Sequence, residues 1–70
     1  MFHVEDIAGK TKDLERQRDK LVDELKNLEE RRKKGELSEE AYKEKRRELE
    51  RQIVEVMDRL AQMRFFSGET

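Results

Sequence analysis

The chain contains no cysteine and no proline, only one histidine and four aromatic residues, three Phe and one Tyr. Without cysteine it can form neither disulfides nor thiolate metal sites, and its redox compartment stays open. The lone His3 has no cysteine or second histidine to complete a metal site, so a surface or terminus-packing role is expected for it. No apolar run is long enough for a signal peptide or a membrane span, which makes a soluble, cytoplasmic protein the default expectation. Nor is charge of one sign in excess, since 17 basic residues face 18 acidic ones. That balance gives no global reason to expect nucleic acid or an anionic membrane as partner.

What remains is charge and period. Half of the 70 residues are charged and a third are hydrophobic. Such a composition suits a disordered segment when its apolar residues lack a period, but here the period is strong. Abundant Glu, Lys, Arg and Leu without proline is the composition of long helices and coiled coils, and the charge would suit a thermophile. Seventy residues make one small domain, near the limit at which a single core holds a fold unaided.

The organising stretch is Lys33-Lys34-Gly35-Glu36-Leu37-Ser38-Glu39-Glu40. Gly35 can take the left-handed conformation that ends a helix, and Lys33 and Lys34 place positive charge at the negative end of the helix dipole. Ser38 offers an N-cap oxygen to a second helix, with Glu39 and Glu40 in its first turn. Leu37 and Tyr42 take the N′ and N4 positions of a hydrophobic staple. The expected fold is therefore all-α, an antiparallel two-helix hairpin: helix one over about 5–34, a turn at 35–38 and helix two over about 39–66. Two starts are open for the first helix, one near Glu5 and one capped by Thr11 that leaves the first ten residues as an arm. The early start is preferred because it brings Val4 and Ile7 into register, although Gly9 weakens a helix passing through it.

Each helix carries a heptad seam. In the first, Ile7, Thr11, Leu14, Arg18, Leu21, Leu25 and Leu28 alternate steps of four and three, with Val22 widening the stripe. In the second the series is Tyr42, Arg46, Leu49, Ile53, Val56, Leu60 and Met63. Folding back at Gly35 pairs positions whose numbers sum to the low seventies, so Leu28 meets Tyr42 or Arg46, Leu21 meets Leu49 or Ile53, and Leu14 meets Val56 or Met57. Ile7 then meets Met63 or Phe66. Pairs such as Glu29 with Lys33 and Glu30 with Lys34 add about 0.2–0.5 kcal/mol each. Arg18 and Arg46 fall on seam positions, where they either set register or lie at the edge of a loose seam with their stems packed.

From Ile53 onward the second helix is apolar over more than one partner helix needs. Ile53, Val54, Met57, Leu60, Ala61, Phe65 and Phe66 form the expected partner or dimer face. Phe65 and Phe66 have an alternative role, closing the open end of the hairpin over Phe2 and Val4. A hairpin alone buries only the strip between its helices, so a partner is implied. A second copy, giving a four-helix bundle, is the simplest; a groove on another protein is the other.

Chemistry-bearing motifs are weak. Gly9-Lys10-Thr11 resembles the end of a phosphate-binding loop, but Val4 stands where that loop needs its first glycine and there is no room for a preceding strand. The carboxylate pairs Glu29-Glu30 and Glu39-Glu40 have no pocket to perturb them. No catalytic residue, cofactor, metal or small-molecule substrate is expected. The basic stretches Arg31-Arg32-Lys33-Lys34 and Lys43-Glu44-Lys45-Arg46-Arg47 leave nucleic-acid association as an alternative. Nearby acidic residues offset these charges, and only Tyr42 is available there to stack on a base.

The run Gly35-Glu36-Leu37-Ser38-Glu39-Glu40-Ala41-Tyr42, continuing to Arg46 and Leu49, resembles the turn of short helical-hairpin modules such as the SHOCT family and gas vesicle protein G. In these a Gly-x-Ile/Leu-Ser/Thr turn leads to an aromatic, a basic residue and a leucine. The resemblance covers about 15 of the 70 residues. It implies an oligomerisation or accessory role, and no functional residue is carried over from it. The expected function is a non-enzymatic interaction or oligomerisation module, a small scaffold or accessory protein.

Overall fold

The turn is built from backbone hydrogen bonds that the first helix leaves unmade at its C-terminal end. In the computed structural model, which describes the backbone of residues 4–66 and the side chains of residues 9–65, Gly35 has φ +74°. That left-handed residue lets the Glu36 amide donate to the Arg31 carbonyl at 3.0 Å and the Gly35 amide to the Arg32 carbonyl at 3.0 Å. These are the paired six-to-one and five-to-two bonds of a Schellman cap, so otherwise orphaned carbonyls are satisfied. Three residues later Ser38 Oγ accepts from the Ala41 amide at 3.2 Å, the N-cap bond to the third helical residue. Leu37 is half-buried before that cap and Tyr42 is buried at the N4 position, the two sites of a hydrophobic staple.

Two helices flank this turn, α1 (Val4–Lys33) and α2 (Glu39–Phe66). They run antiparallel and pack on each other as an all-α hairpin about 50 Å long and 20 Å by 14 Å in section. Helix α1 passes through Gly9 and Thr11, so the start capped by Thr11 is not the one adopted. Gly9 is exposed, and a Cβ there would meet nothing within 4 Å. The phosphate-loop resemblance at Gly9-Lys10-Thr11 thus lies inside a continuous helix, whose amides are committed to the helical ladder.

The core is one strip between the helices. Leu14, Leu28, Tyr42, Val56 and Leu60 are buried. Leu14, Val56 and Leu60 form a cluster against which Leu21 and Met63 pack. Leu25, Leu49 and Ile53 are half-buried along the same strip. Leu60 corrects the sequence expectation that put it on the outer partner face as well as in the seam: it is only 1% exposed, the most buried side chain described. The reason is geometric. A residue four after Val56 and three before Met63 stays on the inward stripe of a 3.6-residue helix, so Leu60 is consumed by the hairpin itself. Arg18 and Arg46 sit on that stripe with their heads at its edge. Arg18 turns to Asp19 at 3.2 Å and Arg46 to Glu50 at 2.7 Å, and among the described residues no buried side-chain polar atom lacks a partner.

Candidate interaction face

The two flanks of the α1–α2 strip differ in chemistry. On one, Gln17, Lys20 and Glu24 of α1 face Gln52, Glu55 and Arg59 of α2 across a shallow furrow that Leu21 and Val56 also line. On the other the charged border gives way to apolar residues. Val54 is 66% exposed and Met57 45%, Ala61 lies exposed one turn further on, and the half-buried Ile53 joins them to the core. Phe65 follows at 71% exposure. Val22, at the matching heptad position of α1, is half-buried.

The exposed residues have a period of their own. Arg47, Glu50, Val54, Met57, Ala61 and Arg64 alternate steps of three and four along α2, so α2 carries a second heptad seam displaced by one residue from the first. The centre of this second seam is apolar and its ends are charged. Of the face expected from sequence, Val54, Met57, Ala61 and Phe65 are therefore brought together at the surface. Ile53 lies between the two seams and Leu60 lies in the core. Phe66, and the packing of the C-terminal phenylalanines over Phe2 and Val4, fall outside the described side chains.

The turn end is organised differently, around Tyr42, which is 2% exposed. Its hydroxyl donates to Glu29 Oε1 of α1 at 2.5 Å and accepts from Arg46 Nη1 at 3.1 Å. The Arg32 guanidinium lies 4.2 Å from the ring centroid, and its Nη2 donates to Glu39 Oε1 at 2.8 Å. Hydrogen bonding to Tyr42 and Glu39 raises the Arg32 pKa above its ordinary value, and bonding to Glu50 and then Tyr42 does the same for Arg46. Both stay charged at any pH at which a protein folds. This clasp joins the end of α1 to the start of α2, and Glu29, Arg32 and Glu39 were not singled out as its members from sequence. The signal was present: a fold-back summing to the low seventies sets Glu29 opposite Tyr42 and Arg32 opposite Glu39.

The clasp also engages some of the groups that the turn end would offer a nucleic acid. Tyr42 offers no free face for a base. Arg31, Arg32 and Arg46 lie in ion pairs with Glu36 at 3.7 Å, Glu39 at 2.8 Å and Glu50 at 2.7 Å respectively. Among the described residues no cluster of three or more His, Cys, Asp or Glu side chains is disposed to hold a metal ion, and no helix is long and apolar enough to cross a membrane. Comparison with protein-family models, with curated proteins and with solved structures gives no match to this chain.

Proposed function

We propose that this chain is a non-enzymatic oligomerisation and interaction module, in which the outer face of α2 pairs two hairpins into a four-helix bundle that serves as a small scaffold or accessory protein. The observation that carries this reading is the exposure of Val54 and Met57, flanked by Ala61 and continuous with Ile53, on one side of a hairpin whose opposite flank is bordered by Gln17, Lys20, Glu24, Gln52, Glu55 and Arg59. Scattered exposed apolar residues need no explanation, but three in heptad register beside a packed core extend the buried surface as soon as a partner arrives. A partner also supplies what the lone hairpin lacks, a second layer against which each helix buries its free flank.

Sedimentation velocity at micromolar concentration tests the reading. The expected species has twice the chain mass, and Met57→Asp shifts it to a helical monomer. A well-folded monomer for the unsubstituted chain would remove the proposal. Nucleic-acid association through the basic turn end is the weaker reading, because Tyr42 is buried in the clasp and Arg31, Arg32 and Arg46 lie in ion pairs. No retention on nucleic acid at low salt, where phosphate contacts are strongest, discards it.

A further inference from the structure

Resting on that reading, we infer that the partner is a second copy of the chain whose α2 lies antiparallel to the first, with the twofold axis passing beside Met57. The second seam has a polarity that a random apolar patch lacks. Glu50 stands seven residues before Met57 and Arg64 seven after it, and Val54 and Ala61 flank Met57 three before and four after. Reversing the helix about Met57 therefore exchanges Glu50 with Arg64 and brings Val54 to within one position of Ala61. An antiparallel copy puts the Glu50 carboxylate beside the partner's guanidinium at both ends of the apolar centre. A parallel copy sets Glu50 on Glu50 at one end, each with its own Arg46 bonded to it and Arg47 one turn before it, and guanidinium on guanidinium at the other, and the latter contact is disfavoured. Glu50 already holds Arg46 through Oε1 at 2.7 Å. Its side chain is 51% exposed, and a carboxylate has acceptor sites for more than one donor.

The axis position also fixes the shape of the dimer. Met57 lies eighteen residues into α2 from Glu39, about 27 Å at 1.5 Å per residue. The overlap then runs from about residue 48 to residue 66, and the two Gly35 turns project from opposite ends, beyond α2 N-termini that lie roughly 54 Å apart along the bundle. A parallel dimer would hold both turns side by side. The lysines around each turn are thus kept away from those of the other copy, a further electrostatic preference for the antiparallel form.

Single-cysteine variants test this cleanly because the chain has no cysteine of its own. Glu50→Cys and Arg64→Cys proteins are oxidised separately and as an equimolar mixture, alongside sedimentation of the unsubstituted protein. The expected result is a cross-linked dimer in the mixture joining one copy of each variant, with several-fold lower yield in either protein alone. Self-linking of Glu50→Cys at the higher yield, or equal yields in all three samples, would overturn the antiparallel axis while leaving the dimer standing. A monomer in sedimentation would overturn both. As an independent measure, Glu50→Arg is expected to weaken dimerisation about tenfold, the effect of two like-charge contacts at roughly 0.7 kcal/mol each, and adding Arg64→Glu to the same chain to restore it. Failure of the double variant to recover beyond the single one also counts against the axis.

Discussion

Two glycines in this chain call for opposite substitutions. Gly35 occupies φ +74°, where a Cβ is strained even though no neighbouring atom stands in its way. Gly35→Ala is therefore expected to destabilise the hairpin by about 1 kcal/mol, visible as a lower melting temperature by circular dichroism, with Gly35→Asn milder. Gly9 lies in the helical region of α1 with open space around it. Gly9→Ala is expected to stabilise by about 0.5–1 kcal/mol by removing backbone freedom from the unfolded chain. At the opposite extreme of burial stands Leu60. Truncation to alanine removes the most buried side chain of the Leu14–Val56 cluster and should cost about 2–4 kcal/mol, which leaves this small hairpin largely unfolded in a thermal melt.

At the scale of the element, the turn is held twice, by its backbone caps and by the Tyr42 clasp. The caps were legible in sequence because capping chemistry is local: glycine at the C′ position, serine at the N-cap and glutamates in the first turn each act within a few residues. The clasp was less legible because it depends on which way long side chains turn. Glu29 could have paired with Lys33 along its own helix, yet its carboxylate takes the Tyr42 hydroxyl across the hairpin. Likewise periodicity placed Leu60 on the seam, but could not say that the wide apolar stripe of α2 divides into an inner and an outer row. That division depends on how far α1 reaches around α2, a property of packing. Tyr42→Phe separates the clasp's parts, since it keeps the buried ring under Arg32 and deletes the hydroxyl. The expected loss is about 1–2 kcal/mol, from the two part-buried hydrogen bonds to Glu29 and Arg46, whereas Tyr42→Ala should cost about 3–4 kcal/mol by emptying its place in the strip. Equal effects of the two substitutions in urea melts would show that the hydroxyl network, and not the ring, holds the turn.

At the scale of the whole molecule, the strip between α1 and α2 buries too few side chains for the hairpin to be strongly stable alone, since apolar burial in domains of this size barely offsets the entropy of ordering them. If the outer row of α2 completes the core in a dimer, folding and association are coupled and the melting temperature must rise with protein concentration. Each tenfold increase adds about 1.4 kcal/mol per dimer, which for a folded unit of two copies of residues 4–66 corresponds to a rise of roughly 3–6 °C. Met57→Asp should abolish that dependence while lowering the melting temperature to that of the isolated hairpin, because Met57 is on the outer row and its replacement leaves the inner strip intact. Leu60→Asp should instead remove the helical signal at every concentration, because the charge falls inside the strip where it can be neither hydrated nor paired. The two residues are three apart on one helix, so local propensity cannot account for a difference between them. A melting temperature that stays constant over a hundredfold range of concentration for the unsubstituted chain would mean that the inner strip suffices and the outer row of α2 has another occupant.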